Sequence, residues 1–176
     1  MPEFTVYRSS ATAPESAVGN GDPCDMNRKS VYIHSGQLYA SGEPSTITTI
    51  LGSCVAVCMW DPTSGIGGAT HYLLPYRVSA QQSSPRFGNF AIELLISQLA
   101  DLGASRRDLQ SKVFGGACIF AGFKSIDEQL GTKNVDIALS MLEQADIPVI
   151  THDIGGPRGR KLIFNTDSGD AWVKLL

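Results

Sequence analysis

The fold is decided by residues 51–75, which read LGSCVAVCMWDPTSGIGGATHYLLP. Residues 55–60 are apolar at both alternating positions, which is typical of a short strand that is covered on both faces. Residues 61–65 (DPTSG) combine residue types that favour a tight turn. Residues 66–75 then run back as a second extended segment. The stretch therefore predicts an antiparallel β-hairpin.

The segments around this hairpin alternate between strand and helix patterns. Residues 30–39 suggest a strand or hairpin, and helical spacing of apolar residues predicts helices at about 87–102 and 134–144. Further strands are predicted at 111–120, 147–150, 161–165 and 171–175. Hairpins with inserted helices indicate the α+β (mixed α/β) class, with packed β-sheets and one domain over residues 30–176. Residues 1–29 are expected to form a flexible N-terminal extension, because Ser, Ala, Pro and Gly dominate most of them.

Charge and composition exclude several classes of function. The formal net charge is −3 and no basic stripe is present, so a nucleic-acid binder is not expected. No segment approaches the roughly 20 apolar residues that a membrane-spanning helix needs. The first residues lack the basic start and apolar core of a secretory signal, so we expect a cytoplasmic protein. The four cysteines form no CxxC pair and have no histidines at zinc-site spacing, so we expect no structural metal.

Each arm of the predicted hairpin carries one residue that could do chemistry, Cys54 and His71. The turn centres near Thr63, so Cys54 lies 9 residues before the centre and His71 lies 8 residues after it. A register close to this one places both side chains on one face, within reach of each other. A thiol beside an imidazole can form a thiolate–imidazolium pair, in which the thiolate is the nucleophile and the histidine is the base.

Three neighbouring residues could assist such a pair. Gly52 and Ser53 form a bend of small residues before Cys54, and this bend would leave backbone N–H groups free to receive a developing oxyanion. Thr48, six residues before Cys54, could hold the imidazole or a substrate amide through its hydroxyl. By itself Thr48 is also an ordinary β-forming residue.

The residue pattern alone also allows a purely structural interpretation. A cysteine in an apolar strand is more often a small core residue than a nucleophile, and a single nearby histidine is more often a structural group. Cys58 and Cys118 are interpreted as core residues, whereas Cys24 falls in the N-terminal extension. The Cys54–His71 pattern therefore leaves both interpretations open.

Several short motifs, taken together, resemble the CheD family of chemoreceptor glutamine deamidases. The first are residues 51–57 (LGSCVAV), 68–71 (GATH) and 74–75 (LP). Others follow in order: 102–104 (LGA), 112–117 (KVFGGA), 134–135 (NV), 153–156 (DIGG), 159–161 (GRK) and 164–166 (FNT). The resemblance covers roughly residues 31–176, and the motifs are far more specific together than the Cys–His pair alone.

The resemblance implies a catalytic triad of Cys54, His71 and Thr48. It also implies packed sheets flanked by helices, as in deamidating toxins of the cytotoxic necrotizing factor type. The implied reaction converts selected glutamines on the cytoplasmic helices of chemotaxis receptors to glutamate, with release of ammonia and a cysteine thioester intermediate. No cofactor is implied, and some members of the family also bind the chemotaxis phosphatase CheC.

Two other functions remain open at this point. The chain could be an adaptor or regulator that binds a chemotaxis phosphatase or a receptor, with weak or secondary catalysis. It could also be another Cys–His hydrolase, such as a peptidase or a small-amide hydrolase, and its substrate would distinguish that case.

Overall fold

The structure is a computed structural model that describes residues 4–9, 28–77, 79, 83–118 and 127–176. In these ranges the chain forms ten strands and two helices. The strands are β1 (Thr5–Tyr7), β2 (Lys29–Tyr32), β3 (Gln37–Ser41), β4 (Ser45–Leu51), β5 (Val55–Asp61), β6 (Ile66–His71), β7 (Gln110–Gly115), β8 (Val149–Ile154), β9 (Arg160–Asn165) and β10 (Ala171–Leu175). The helices are α1 (Gly88–Asp101) and α2 (Asp127–Gln144).

The ten strands form two five-stranded sheets. The first sheet has the order β1-β10-β9-β4-β2, and the second has the order β3-β6-β5-β7-β8. Residues from both sheets share one buried cluster, so the two sheets pack face to face. The two helices contribute to a second cluster on the other face of the second sheet. The predicted α+β class, with packed sheets and flanking helices, is confirmed.

The predicted hairpin is strands β5 and β6, which pair in antiparallel register from Cys58↔Ala69 to Asp61↔Ile66. Every residue of β5 is buried. Its alternate residues enter different clusters, with Val57 on the helix side and Cys58 facing the first sheet. The strand is apolar at both positions because it lies at the centre of the molecule with a layer on each face.

Helix α1 matches its prediction closely, whereas α2 begins seven residues before the predicted start at residue 134. The early turns of α2 were missed because they are polar and contain Gly131, which lowers helix propensity. Gly131 is required by packing: a Cβ at this position would lie 2.6 Å from the backbone oxygen of Gly116. The helix therefore crosses the end of β7 at close range.

Three further predictions are corrected by the structure. Residues 5–7 are not part of a flexible extension, because they form β1 and pair with β10, while residues 10–27, including Cys24, lie outside the described residues. Of the strand or hairpin predicted at 30–39, the strand alternative is confirmed by β2 and β3, and the hairpin alternative is wrong, because β2 pairs with β4 in the first sheet and β3 pairs with β6 in the second. Cys118 is partly exposed, not a core residue, because β7 ends at Gly115.

Candidate functional site

Cys54 lies in the bend between β4 and β5, and His71 is the last residue of β6. Just beyond Cys54, the backbones of Val55 and Tyr72 exchange two hydrogen bonds of 3.2 and 3.0 Å. Continuing this register places Cys54 opposite Leu73. His71 lies two residues before Leu73, so Cys54 and His71 are diagonal neighbours on the same face of the hairpin. Such neighbours are about 7–8 Å apart in a regular sheet, measured between Cα atoms.

The imidazole of His71 is 3% exposed and is held at one nitrogen by Thr49. The Thr49 Oγ1 atom is 2.8 Å from Nδ1 of His71 and also donates a 2.7 Å hydrogen bond to the carbonyl oxygen of Ile33. A hydroxyl has a single hydrogen, and this one goes to the carbonyl, so Nδ1 must donate to Thr49. The proton on neutral His71 is therefore on Nδ1, and Nε2 is the basic nitrogen. No partner for Nε2 is found among the described residues.

The prediction that Thr48 orients the imidazole is corrected by this geometry. Successive side chains of a strand point to opposite faces, and β4 turns Thr49 toward the second sheet. Thr49 is 1% exposed, whereas Thr48 is partly exposed on the outer face of the first sheet. The sequence has threonine at both positions, so the local pattern does not show which of the two side chains faces the second sheet.

Burial makes both Cys54 and His71 favour their neutral forms. It lowers the pKa of His71 to about 4. The Ile33 carbonyl acts to raise this pKa, and nearby His34 has a smaller lowering effect. Burial also raises the pKa of the Cys54 thiol, although hydrogen bonds from its own N–H and from Ser35 act in the other direction. The structure thus favours a neutral Cys54 thiol and a neutral His71 imidazole over the thiolate–imidazolium pair.

The bend at residues 52–54 is fixed by hydrogen bonds to all three of its carbonyl groups. Ala117 N–H donates to Gly52 and Gly116 N–H donates to Cys54, both at 2.8 Å. The side-chain amide of Asn134 donates to the Ser53 carbonyl at 3.1 Å. In contrast, no backbone acceptor within the described ranges is found for the N–H groups of Ser53 and Cys54. The carbonyls are held by the protein, whereas these two N–H groups have no backbone partner within the described ranges.

The loop that supports this bend is held from behind by Arg160, which is 3% exposed. Its guanidinium donates to the carbonyls of Gly115 at 3.1 Å and Gly155 at 2.8 Å, and to Asp153 at 2.9 Å. The Tyr7 hydroxyl donates to the other oxygen of Asp153 at 3.0 Å. The N-terminal strand β1 is therefore connected to the candidate site through this network. Sequence reasoning missed Arg160 and Thr49, although the motif GRK contains the former.

Apolar side chains are exposed just beyond the end of the hairpin arm that carries His71. Leu74 and Tyr76 follow the strand end that faces Cys54, and they are 36% and 55% exposed. On the other side of His71, Gly36 N–H donates to its backbone oxygen at 2.7 Å. Gly36 also lines a groove of about 560 Å³, together with Val31, Tyr32, Ile33, Gln37, Leu38, Tyr39, Ala40, Pro85, Leu94 and Gln98.

The described ranges lack two other kinds of feature. No group of three or more His, Cys, Asp or Glu side chains is placed to hold a metal ion there. Neither helix in the described part of the chain is long and apolar enough to cross a membrane.

Comparison with known proteins identifies the family. The family model described as CheD chemotactic sensory transduction matches residues 73–175, a range that contains neither Cys54 nor His71. The chain is 45% identical over 171 residues to the probable chemoreceptor glutamine deamidase CheD 1 of Anaeromyxobacter dehalogenans strain 2CP-C, covering 96% of this chain and 99% of the relative.

Two other relatives have the name probable chemoreceptor glutamine deamidase CheD. The protein of Sulfurimonas denitrificans is 42% identical over 152 residues, covering 86% of this chain and 97% of the relative. The protein of Vibrio vulnificus strain YJ016 is 40% identical over 156 residues, covering 83% and 71%. These matches extend over most of the chain, and with the family model they show that the chain belongs to the CheD family of chemotactic sensory transduction proteins.

Proposed function

We propose that this protein is a cysteine-dependent glutamine deamidase that acts on the cytoplasmic helices of chemotaxis receptors. The relatives named above are described as chemoreceptor glutamine deamidases, which supports the substrate. The observation that carries the chemistry is the orientation of His71. Its Nδ1–H is bound by Thr49, so Nε2, which has no partner among the described residues, is the proton acceptor on the face that His71 shares with Cys54.

The first half of the reaction forms a thioester. His71 Nε2 takes the thiol proton as Cys54 Sγ attacks the carboxamide carbon of glutamine. The backbone N–H groups of Ser53 and Cys54 donate to the resulting oxyanion, with the Gly52 bend giving them their direction. The imidazolium then returns its proton to the leaving nitrogen, and ammonia departs as the C–N bond breaks.

The second half of the reaction hydrolyses the thioester. His71 Nε2 removes a proton from water as the water oxygen attacks the thioester carbon, and the C–S bond then breaks. Glutamate leaves, and the thiol of Cys54 regains its proton. Thr49 accepts the hydrogen bond from Nδ1–H throughout, so it keeps the imidazole in one tautomer and orientation.

Exposed apolar side chains beyond the end of the hairpin favour a protein substrate over a small free amide. Leu74 and Tyr76 follow the hairpin arm that carries His71, and a small amide would leave these exposed side chains uncovered. A receptor helix that presents a glutamine side chain could cover them. Binding of a CheC-type phosphatase, a cytoplasmic location and a single domain over residues 30–176 stay predictions.

The proposal is tested by mass spectrometry of a folded receptor cytoplasmic fragment incubated with the protein. We expect conversion of specific glutamines to glutamate by the native chain and by Cys58→Ala, because Cys58 is fully buried away from the bend. We expect no conversion by Cys54→Ala. Conversion by Cys54→Ala at the native rate would exclude Cys54 as the nucleophile, and no conversion by the native chain would reject the receptor fragment as its substrate.

A further inference from the structure

The antiparallel ladder between β5 and β6 is interrupted next to Cys54. Val55 and Tyr72 exchange both of their backbone hydrogen bonds, so a regular ladder would next join Ser53 and Leu74 in the same way. Both backbone groups of Leu74 are used elsewhere. Its N–H donates to Arg86 at 3.0 Å, and its carbonyl accepts from Gly88 at 2.7 Å. The N–H and the carbonyl of Ser53 therefore lose their ladder partners one residue before Cys54.

The side chain of Asn134 replaces one of the missing partners. Its amide nitrogen donates to the Ser53 carbonyl at 3.1 Å and to the Leu73 carbonyl at 2.8 Å. Carbonyl oxygens only accept hydrogen bonds, so this orientation of the amide is the one that fits. The amide thus joins the residue before Cys54 to the residue opposite Cys54. The backbone carbonyl of Asn134 also accepts the Tyr72 hydroxyl at 2.5 Å, next to His71.

We propose that Asn134 is a positioning residue of this site, which holds Cys54 at its distance from His71 and leaves the Ser53 N–H for the substrate oxyanion. The inference rests on the proposed deamidase function. Asn134 lies in α2, outside the hairpin, so the helix sets the separation of the two arms where the ladder has ended.

The burial of Asn134 supports a positioning role for its side-chain amide. The residue is fully buried, and Oδ1 has no hydrogen-bond partner in the described part of the chain. An unpaired buried acceptor is unfavourable, and an apolar side chain of similar volume would avoid that cost. An apolar side chain would, however, leave the carbonyls of Ser53 and Leu73 without donors. The two N–H groups of the amide are what the site requires.

The test compares Asn134→Ala with a control at Asn165, measuring kcat and KM for deamidation of a receptor fragment. Asn165 is also buried, and its side chain accepts a 2.8 Å hydrogen bond from Thr46 away from the bend. We expect kcat to fall on the order of 100-fold in Asn134→Ala, with KM within about threefold, because the reacting atoms are misplaced. Asn165→Ala should lose stability but keep kcat. Native-like kcat in folded Asn134→Ala, or an equal loss in Asn165→Ala, overturns the proposal.

A second variant keeps the test decisive if Asn134→Ala does not fold. Asn134→Asp has nearly the same volume, and its protonated form retains one donor while its ionised form has none. We expect its kcat, relative to the native protein, to increase as the pH is lowered from 8 to 5. A constant ratio, or full activity at pH 8, contradicts a role for the amide donors.

A third measurement separates this inference from the proposed function, because it needs no receptor. The rate at which iodoacetamide alkylates Cys54 is followed against pH in the native chain, in Asn134→Ala and in the Asn165→Ala control. In Asn134→Ala, we expect the midpoint for Cys54 to move down toward that of a free cysteine, because the bend is released from its buried position. The profile of Asn165→Ala should match that of the native chain. An unchanged Cys54 profile overturns the positioning role even if the native chain deamidates no receptor.

Discussion

Thr49 and His71 are joined by a hydrogen bond of 2.8 Å between Oγ1 and Nδ1, at a position where both side chains are almost fully buried. The Thr49 hydroxyl donates its only hydrogen to the Ile33 carbonyl, so it acts as an acceptor toward the imidazole. This one relationship determines the tautomer of His71. It also selects one of two adjacent threonines as the residue that orients the proposed base.

Thr49→Val should lower kcat for receptor deamidation by roughly 10- to 100-fold, because the imidazole would lose the acceptor that holds Nδ1–H and Nε2 would no longer be directed. The matched control is Thr48→Val, on the opposite and partly exposed face of β4, which should keep kcat within about threefold of native. Initial rates at saturating receptor fragment measure both. A larger loss of kcat in Thr48→Val than in Thr49→Val would show that Thr48, and not Thr49, is the third member of the triad.

The stability of the protein should fall in acid partly because of His71. Burial lowers the pKa of His71 to about 4 in the folded state, below the ordinary value of 6.5 in the unfolded chain. Between these two values the unfolded chain binds more protons, so the free energy of unfolding decreases as the pH falls from 6.5 toward 4. The full contribution is on the order of 3 kcal/mol. Urea unfolding at pH 7 and pH 4.5 should show a weaker pH dependence in His71→Gln than in the native chain, and equal slopes would contradict the lowered pKa.

Lys112 should make the protein more stable as the pH rises through 8. Its side chain is fully buried and donates to the carbonyls of Tyr7 at 2.6 Å and Gly169 at 2.7 Å. Burial lowers the pKa of Lys112 to about 8, against an ordinary value of 10.5. The unfolded chain binds more protons between these values, so the free energy of unfolding should rise by about 1–2 kcal/mol from pH 8 to 9.5.

The rise in the free energy of unfolding should disappear in Lys112→Met. It should persist in Lys161→Met, because the native Lys161 side chain is only partly buried. The neutral amine still has two hydrogens for its two carbonyl partners, so deprotonation need not break either bond. Urea unfolding across pH 8–9.5 measures the change. If the native protein and Lys112→Met show the same slope, Lys112 is not the titrating group.

Gly115→Ala should displace the bend that carries Cys54. Gly115 has φ 113°, and a Cβ there would lie 2.2 Å from the backbone oxygen of Cys54. Backbone strain alone costs about 1–3 kcal/mol, and the clash must also move the bend. The matched control is Gly156→Ala, with φ 75° and no atom within 4 Å of the added Cβ, which carries strain without a clash.

We expect Gly115→Ala to lose both thermal stability and kcat, and Gly156→Ala to lose stability with kcat close to native. Melting temperature and initial deamidation rate, measured on the same preparations, distinguish the two effects. Comparable kcat in the two variants would show that the approach of Gly115 to Cys54 does not matter for the reaction.

Much of the fold could be predicted because it depends on local patterns. The hairpin of β5 and β6, helix α1 and the strands β9 and β10 each have a period or a turn that identifies them. The early part of α2 and strand β1 could not be predicted, because neither has such a pattern. Glycine is required at 131 because the backbone of Gly116 lies against it. Thr5–Tyr7 form a strand only because they pair with the edge of β10.

The sequence by itself determined the class of the fold, the family and the placement of Cys54 and His71 on one face of a hairpin, since these follow from spacing, turn chemistry and motif. Only the tertiary structure decided that Thr49 and not Thr48 meets His71. Adjacent threonines are equivalent in a pattern, and the face that packs against the second sheet is set by strand pairing. The contact of Asn134 with the bend likewise needs α2 to cross the sheet, and no local pattern encodes that crossing.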